Sequence, residues 1–149
     1  MRVTKRKMVT SIVVSLVMCM MFSITAFAAT NTVSKLYSKM NAMNGSSVTK
    51  YTTVSVYGDD ASVSKVILSL NVSSGSDPFY ITVTSPEGST ATIGATTSAG
   101  PFDLSSYFVG ETPNGKWYIT MQNAGYSYNP NQVYPTSTVT PTLKITYNY

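Results

Sequence analysis

Tyr107-Phe108-Val109-Gly110-Glu111-Thr112-Pro113-Asn114-Gly115-Lys116-Trp117-Tyr118-Ile119-Thr120-Met121-Gln122-Asn123 holds the only tryptophan of the chain, a turn and an alternating strand. The turn is read over residues 112–115. Pro113 pre-sets φ, Asn114 tolerates a left-handed backbone, and Gly115 relieves crowding at the exit. Beyond it, Trp117, Ile119 and Met121 alternate with Tyr118, Thr120 and Gln122. A period of two puts the first three on one face of a strand, toward a core. The rest of the chain then reads as a sandwich built around that strand.

Upstream, Val66, Leu68, Leu70 and Val72 share one face of a strand over residues 64–72, and Phe79, Ile81 and Val83 share one face of the next. Ser85-Pro86-Glu87-Gly88 is a turn, with proline at its second position and glycine at its fourth. Residues 51–57 form an earlier strand that carries Val54 and Val56, and Gly58-Asp59-Asp60 closes it. Residues 90–93 form a short strand, and Leu104 and Phe108 are core contacts. Residues 123–135, rich in Asn, Gly, Tyr and Pro, read as a long loop. Pro130 and Pro135 argue against a central strand in that loop, and residues 136–141 are expected to be extended and at a sheet edge. Leu143, Ile145, Tyr147 and Tyr149 alternate in a last strand. Residues 30–47 are polar and read as an irregular arm, or a weak helical turn over 35–43, ended by the loop Asn44-Gly45-Ser46-Ser47. Short strands with turns between them, and abundant Thr, Val and Tyr, give an all-β sandwich. The expected organisation is a leader over 1–28, an arm over 29–50 and a sandwich over 51–149.

The leader has three parts. Arg2, Lys5, Arg6 and Lys7 make a basic start, residues 9–24 are mostly apolar, and Ala26-Phe27-Ala28 fits the small-x-small cleavage rule. Cleavage is expected between Ala28 and Ala29. The apolar run is interrupted by Thr10, Ser11, Ser15 and Ser23 and is short for a spanning helix, which argues against a retained anchor. Cys19 sits mid-way in this run after Met18, which does not suit a lipid-attachment site. The chain has a formal charge of +4, and the four basic residues of the leader supply that excess. Beyond it, Lys35, Lys39, Lys50, Lys65, Lys116 and Lys144 balance Asp59, Asp60, Asp77, Glu87, Asp103 and Glu111. The basic balance therefore belongs to the precursor and gives no argument for nucleic acid or an anionic membrane. The remainder has no cysteine, so an exported domain of this size depends on packing or bound ions. No segment after the leader reads as a membrane span.

Two local patterns resemble the P domain that follows the catalytic domain in subtilisin-like proprotein convertases. Phe79-Tyr80-Ile81-Thr82-Val83-Thr84-Ser85-Pro86-Glu87-Gly88-Ser89 is similar to the family's strand followed by Ser-Pro-x-Gly-Thr. Phe108-Val109-Gly110-Glu111-Thr112-Pro113-Asn114-Gly115-Lys116-Trp117-Tyr118-Ile119 is similar to its Phe-x-Gly-Glu-x-x-x-Gly-x-Trp-x-Leu run. Leu143-Lys144-Ile145 falls where the family has its final strand. The resemblance covers roughly residues 51–149. It implies a jelly-roll sandwich similar to galactose-binding-like folds, and a domain that is not the enzyme but packs beside a protease and supports it. Some family members hold calcium. Pro78 stands where the family's strand usually opens with Asp, and Asn123 where an Asp often ends the tryptophan strand.

The residue types narrow the chemistry. The chain has no histidine, and its one cysteine lies in the leader. Ser-His-Asp and Cys-His nucleophiles, and zinc sites built on His or Cys, are excluded. Glu87 and Glu111 are the only glutamates, each at a turn where a carboxylate satisfies backbone donors. No catalytic residue is assigned. Asp59, Asp60, Asp77 and Asp103 could offer oxygens to calcium, which wants six to eight of them. Without an Asp-x-Asp spacing they read as solvated turn residues, and no metal ligand is assigned. Tyrosine is the unusual count, at eleven. Tyr126, Tyr128, Tyr134, Tyr147 and Tyr149 crowd toward the C-terminus and could stack on sugars or anchor a protein. Alternatively, tyrosine and threonine cover the outer face of a sandwich. The expectation is a secreted bacterial extracellular protein without enzymatic activity or cofactor. Its partner would be an exported protease, another cell-surface protein or a glycan.

Overall fold

The computed structural model describes residues 29–58, 60–129, 131 and 133–149. The leader 1–28, with Ala28 of the cleavage site, lies outside the described residues, as does Asp59 of the calcium candidates. Among the described residues, nine strands and one helical turn follow in order: β1 Thr30–Leu36, β2 Met40–Met43, β3 Ser47–Val54, β4 Ser62–Val72, β5 Phe79–Thr84, β6 Thr90–Thr96, β7 Phe102–Asp103, α1 Ser105–Phe108, β8 Gly115–Asn123 and β9 Thr136–Asn148. They form two antiparallel sheets. The five-stranded sheet runs β1-β9-β4-β7 with β2 also on β9, and the four-stranded sheet runs β3-β8-β5-β6. β1 pairs residues 142–148 of β9 and β2 pairs residues 136–139, so the two act as one interrupted strand. Counted so, eight strand positions divide between two sheets in jelly-roll order, as the motif resemblance implied.

Alternation explains the core. Trp117, Ile119 and Met121 are wholly buried and meet Phe79, Ile81 and Val83 of the same sheet and Val66, Leu68, Leu143 and Ile145 of the other. Each full burial of a side chain of this kind stabilises the fold by roughly 1.5–3 kcal/mol. Leu104 and Phe108 are buried as expected, and Phe108 packs edge-on against Trp117 with ring centroids 5.3 Å apart. α1, between β7 and β8, brings Phe108 there; the backbone of Val66 donates to Ser105 Oγ at 3.0 Å and ties the helical turn to β4.

Two expectations are corrected. The polar stretch read as an arm forms β1, β2 and half of β3, paired along both sheets. Met40, Ala42 and Tyr37 fill the core beside it. Asn44 and Gly45, at φ 51° and 77°, turn the chain from one sheet to the other, and the backbone of Ser46 donates to Met43 O at 3.0 Å. The second correction concerns Pro141. Residues 136–141 are no edge but the first half of β9, which lies between β1 and β2 on one side and β4 on the other. Pro141 O accepts from Tyr37 N at 2.9 Å, so the missing N–H of Pro141 faces the same side. That side is the gap between Leu36 and Met40, where β1 has ended and β2 has not begun. A central strand tolerates this proline because its neighbour is interrupted there.

Candidate functional site

The two motif turns meet. Glu87 Oε1 accepts from the backbone of Thr112 at 2.6 Å, which links the turn after β5 to the turn before β8. Gly115, at φ +126°, lies so close to Pro86 that a Cβ there would stand 2.7 Å from the proline Cβ. Trp117 Nε1 donates to Pro113 O at 2.9 Å, and Asn114 Oδ1 accepts from Val56 N at 2.6 Å. Asn114 uses its side chain rather than a left-handed backbone; Asn44 is the described non-glycine residue at positive φ. The motif residues therefore build one corner of the fold.

Among the described residues, the candidate calcium ligands do not gather into a metal-holding group. Asp77 Oδ2 accepts from Thr136 N at 2.7 Å, between the loop before β5 and the start of β9. Asp103 Oδ1 accepts from both the hydroxyl and the backbone N–H of Ser105. Its carboxyl is lowered from the ordinary range, first by the Ser105 hydroxyl and then by the Ser105 backbone. Glu87 is engaged as described, and Glu111 presents a buried Oε2 with no hydrogen-bond partner. Among the described residues, no group of three His, Cys, Asp or Glu side chains is placed to hold a metal ion. Asn123 is buried where the resemblance would allow Asp. Its Nδ2 donates to Ser137 Oγ at 2.7 Å, and its Oδ1 accepts from Gly125 N at 3.0 Å. Ser137 Oγ in turn donates to Asp77 O at 2.8 Å. An amide is needed here because the hydroxyl already spends its proton on a carbonyl and can only accept from Asn123.

The tyrosines named from the sequence divide. Tyr147 is buried on the inner side of β9, while Tyr126, Tyr128 and Tyr134 stand on the loop between β8 and β9. Tyr126 and Tyr128 meet edge to face with ring centroids 4.5 Å apart. The loop is tied down around them: Asn44 Oδ1 accepts from Ser127 N at 2.7 Å, Pro135 O from Asn44 N at 2.8 Å, and Pro78 O from Ala124 N at 2.9 Å. Yet Tyr128 is 88% and Val133 97% exposed. Tyr126 and Tyr128 thus form an aromatic pair on a loop tied to neighbouring backbone, and Val133 of the same loop is exposed.

A second group was not legible in the sequence. On the outer face of the four-stranded sheet, the register puts Tyr51 of β3 beside Tyr118 of β8, with ring centroids 5.7 Å apart. Lys116 Nζ lies 5.0 Å from the Tyr51 ring centroid, a cation–π distance. Tyr80 of β5 pairs with Gln122 on the same face. These tyrosines lie far apart in sequence, and the strand register alone brings them together.

No family model and no curated protein sequence matches the chain. Solved structures do. A serine protease of Aeromonas sobria is similar over 78% of this chain and 27% of its own length, at 15% identity and a TM-score of 0.49. A family two carbohydrate esterase from Cellvibrio japonicus is similar over 83% of this chain and 36% of its own length, at 11% identity and a TM-score of 0.36. The chain thus spans a minor part of either protein. Among the described residues, no helix is long and apolar enough to cross a membrane.

Proposed function

We propose that this chain is a secreted, non-enzymatic module of the P-domain kind. It docks to, and stabilises, an exported protease or another protein at the cell surface. The observation that carries the reading is the anchored loop whose Tyr128 and Val133 remain almost wholly in water. Rigid aromatic side chains lose little conformational entropy on binding and make effective anchors. The bare aliphatic side chain of Val133 suits an apolar pocket on a protein. The non-enzymatic reading draws support from the acidic residues: Asp77, Asp103 and Glu87 each brace a turn through backbone donors.

The test uses the chain from Ala29 onward and the catalytic domain of a co-exported subtilisin-like protease. A partner that binds the native protease raises its melting temperature by mass action. Addition of the module should extend the protease's half-life at elevated temperature. The Tyr128→Ser, Val133→Ser variant should lose that effect while melting like the parent module. A half-life indifferent to the module would sink the reading. A glycan is the second reading, and it is favoured by the tyrosines and hydroxyls of the sheet face.

A further inference from the structure

The outer face of the four-stranded sheet carries an ordered field of hydroxyls. Thr49 of β3, Thr120 of β8, Thr82 of β5 and Thr92 of β6 pair in one continuous row across all four strands. Thr49 Oγ1 and Thr120 Oγ1 lie 2.8 Å apart, and Thr82 Oγ1 and Thr92 Oγ1 lie 2.9 Å apart. Each pair shares one proton, so each keeps one O–H free to donate and has lone pairs left to accept. Two residues along the strands, the next row runs Tyr51, Tyr118, Thr84 and Thr90. Two residues the other way, Tyr80 stands beside Gln122. The tyrosine rows are therefore four residues apart, about 14 Å along the strand direction at about 3.4 Å per residue.

The composition of this face selects among ligands. Lys116 is the one charged side chain in these rows and the row beyond them, and its ammonium lies 5.0 Å from the centroid of the Tyr51 ring, which stays largely exposed. Nucleic acid would need several cations to neutralise successive phosphates. A stable protein interface would need an apolar centre, and these rows contain no aliphatic side chain. What remains is a field of donors and acceptors flanked by flat rings that are partly open to water: Tyr51 59%, Tyr118 37% and Tyr80 42%. A pyranose presents the matching chemistry, with an apolar C–H face for a ring and equatorial hydroxyls for the threonines. The opposite outer face is also rich in threonine along β9, but its rows beside β1 and β4 hold no tyrosine. We propose that the outer face of the four-stranded sheet is a binding surface for a neutral polysaccharide. The chain lies across the threonine row, with sugar rings seated on Tyr51 and Tyr118 at one end and on Tyr80 at the other. Its residues are other than those of the anchored loop, which begins just beyond the Gln122 row, and binding here does not depend on protease docking.

The experiment is native affinity electrophoresis of the chain from Ala29 onward. Gels contain mixed-linkage β-glucan, arabinoxylan, galactomannan or soluble starch, and a sulfated polysaccharide serves as the anionic counter-probe. At least one neutral polymer should retard the protein, and the retardation should persist at high salt. Tyr51→Ala and Tyr118→Ala should each weaken it on the order of tenfold, the scale of losing an aromatic anchor. Tyr118→Phe, which keeps the ring, should bind within a few-fold of the parent, and Tyr128→Ser, outside the three rows, should bind like it. Trp117 fluorescence confirms that each variant is folded. Failure of all four neutral polymers overturns the proposal. So does retardation unchanged in Tyr51→Ala and Tyr118→Ala, or retardation by the sulfated polymer alone that vanishes with salt.

Discussion

Gly115→Ala places a methyl group where the two motif turns touch. Its Cβ would stand 2.7 Å from Pro86 Cβ and 3.1 Å from Pro86 Cγ. The neighbour cannot swing aside, because it is a proline ring in a turn closed by Gly88 N donating to Ser85 O at 3.1 Å. Forcing in this carbon costs about 1–3 kcal/mol as overpacking. The backbone adds a second cost. Gly115 sits at φ +126°, a region that an L side chain occupies only with strain of roughly 1–3 kcal/mol. The expected loss is therefore about 2–6 kcal/mol, a large part of the ~5–15 kcal/mol that holds a typical domain together.

Urea unfolding followed by fluorescence measures this directly, since Trp117 is the only tryptophan and is wholly buried. The two costs separate in a double-mutant cycle. Pro86→Gly removes both ring carbons that the new methyl would strike but leaves φ at Gly115 unchanged. The double variant should then be more stable than the sum of the single losses requires, by about 1–3 kcal/mol, the overpacking share. A Gly115→Ala loss below about 1 kcal/mol, or additive single losses, would refute the contact between the turns.

Other outcomes follow from buried polar contacts. Tyr37 OH donates to Trp117 O at 3.1 Å, so Tyr37→Phe should cost about 0.5–1.5 kcal/mol in the same urea assay. Burial raises the Tyr37 phenol above its ordinary value near 10, so the native state keeps this proton after the unfolded chain has lost it. Its contribution to stability is whole below pH ~10 and declines as pH rises toward the folded value, at about 1.4 kcal/mol per pH unit; Tyr37→Phe should remove that slope. Asn123→Asp should destabilise by at least about 1–3 kcal/mol at neutral pH, because a carboxylate cannot donate to Ser137 Oγ; thermal melts at lower pH should recover part of the loss. Millimolar calcium, compared with chelator, should leave the melting temperature unchanged, since Asp77, Asp103 and Glu87 are spread over separate turns and committed to backbone donors.

The core was legible where apolar residues keep strict alternation. Trp117, Ile119 and Met121, and likewise Phe79, Ile81 and Val83, announce both strand and inward face within six residues. β1 and β3 were obscured because edge strands bury less. Their core-facing positions include Lys35, opposite Leu143, and Lys50, opposite Ile119. A lysine in the inward phase breaks the hydrophobic pattern from which a strand is read. The edge expected for residues 136–141 failed for a different reason. A local rule assigns proline to an edge, but the interruption that accommodates it lies a hundred residues upstream, between Leu36 and Met40. The tyrosine face shares that non-local character: Tyr51, Tyr80 and Tyr118 share one sheet face only through the register of β3, β8 and β5.

Those same lysines bear on how the faces stay free for a ligand. A sheet edge with unpaired backbone groups invites another strand, and inward-pointing charge is one way to prevent it. β3 and β1 end their sheets and carry Lys50 and Lys35 in that phase. β6 ends the four-stranded sheet on the other side with no charged residue, but its ladder with β5 is broken: Phe79 pairs with Thr96 and Ile81 with Ile93, so β6 holds one residue too many around Gly94 and Ala95. A bulge of this kind twists an edge away from further pairing. With the edges blunted, strand addition is disfavoured, and the flat outer faces and the anchored loop are what the molecule presents. Lys50→Val tests this step. It should favour the folded core, as the inward position opposite Ile119 becomes apolar, and yet raise the oligomeric fraction seen by light scattering. A variant that stayed monomeric at every concentration would show that Lys50 does not guard the edge.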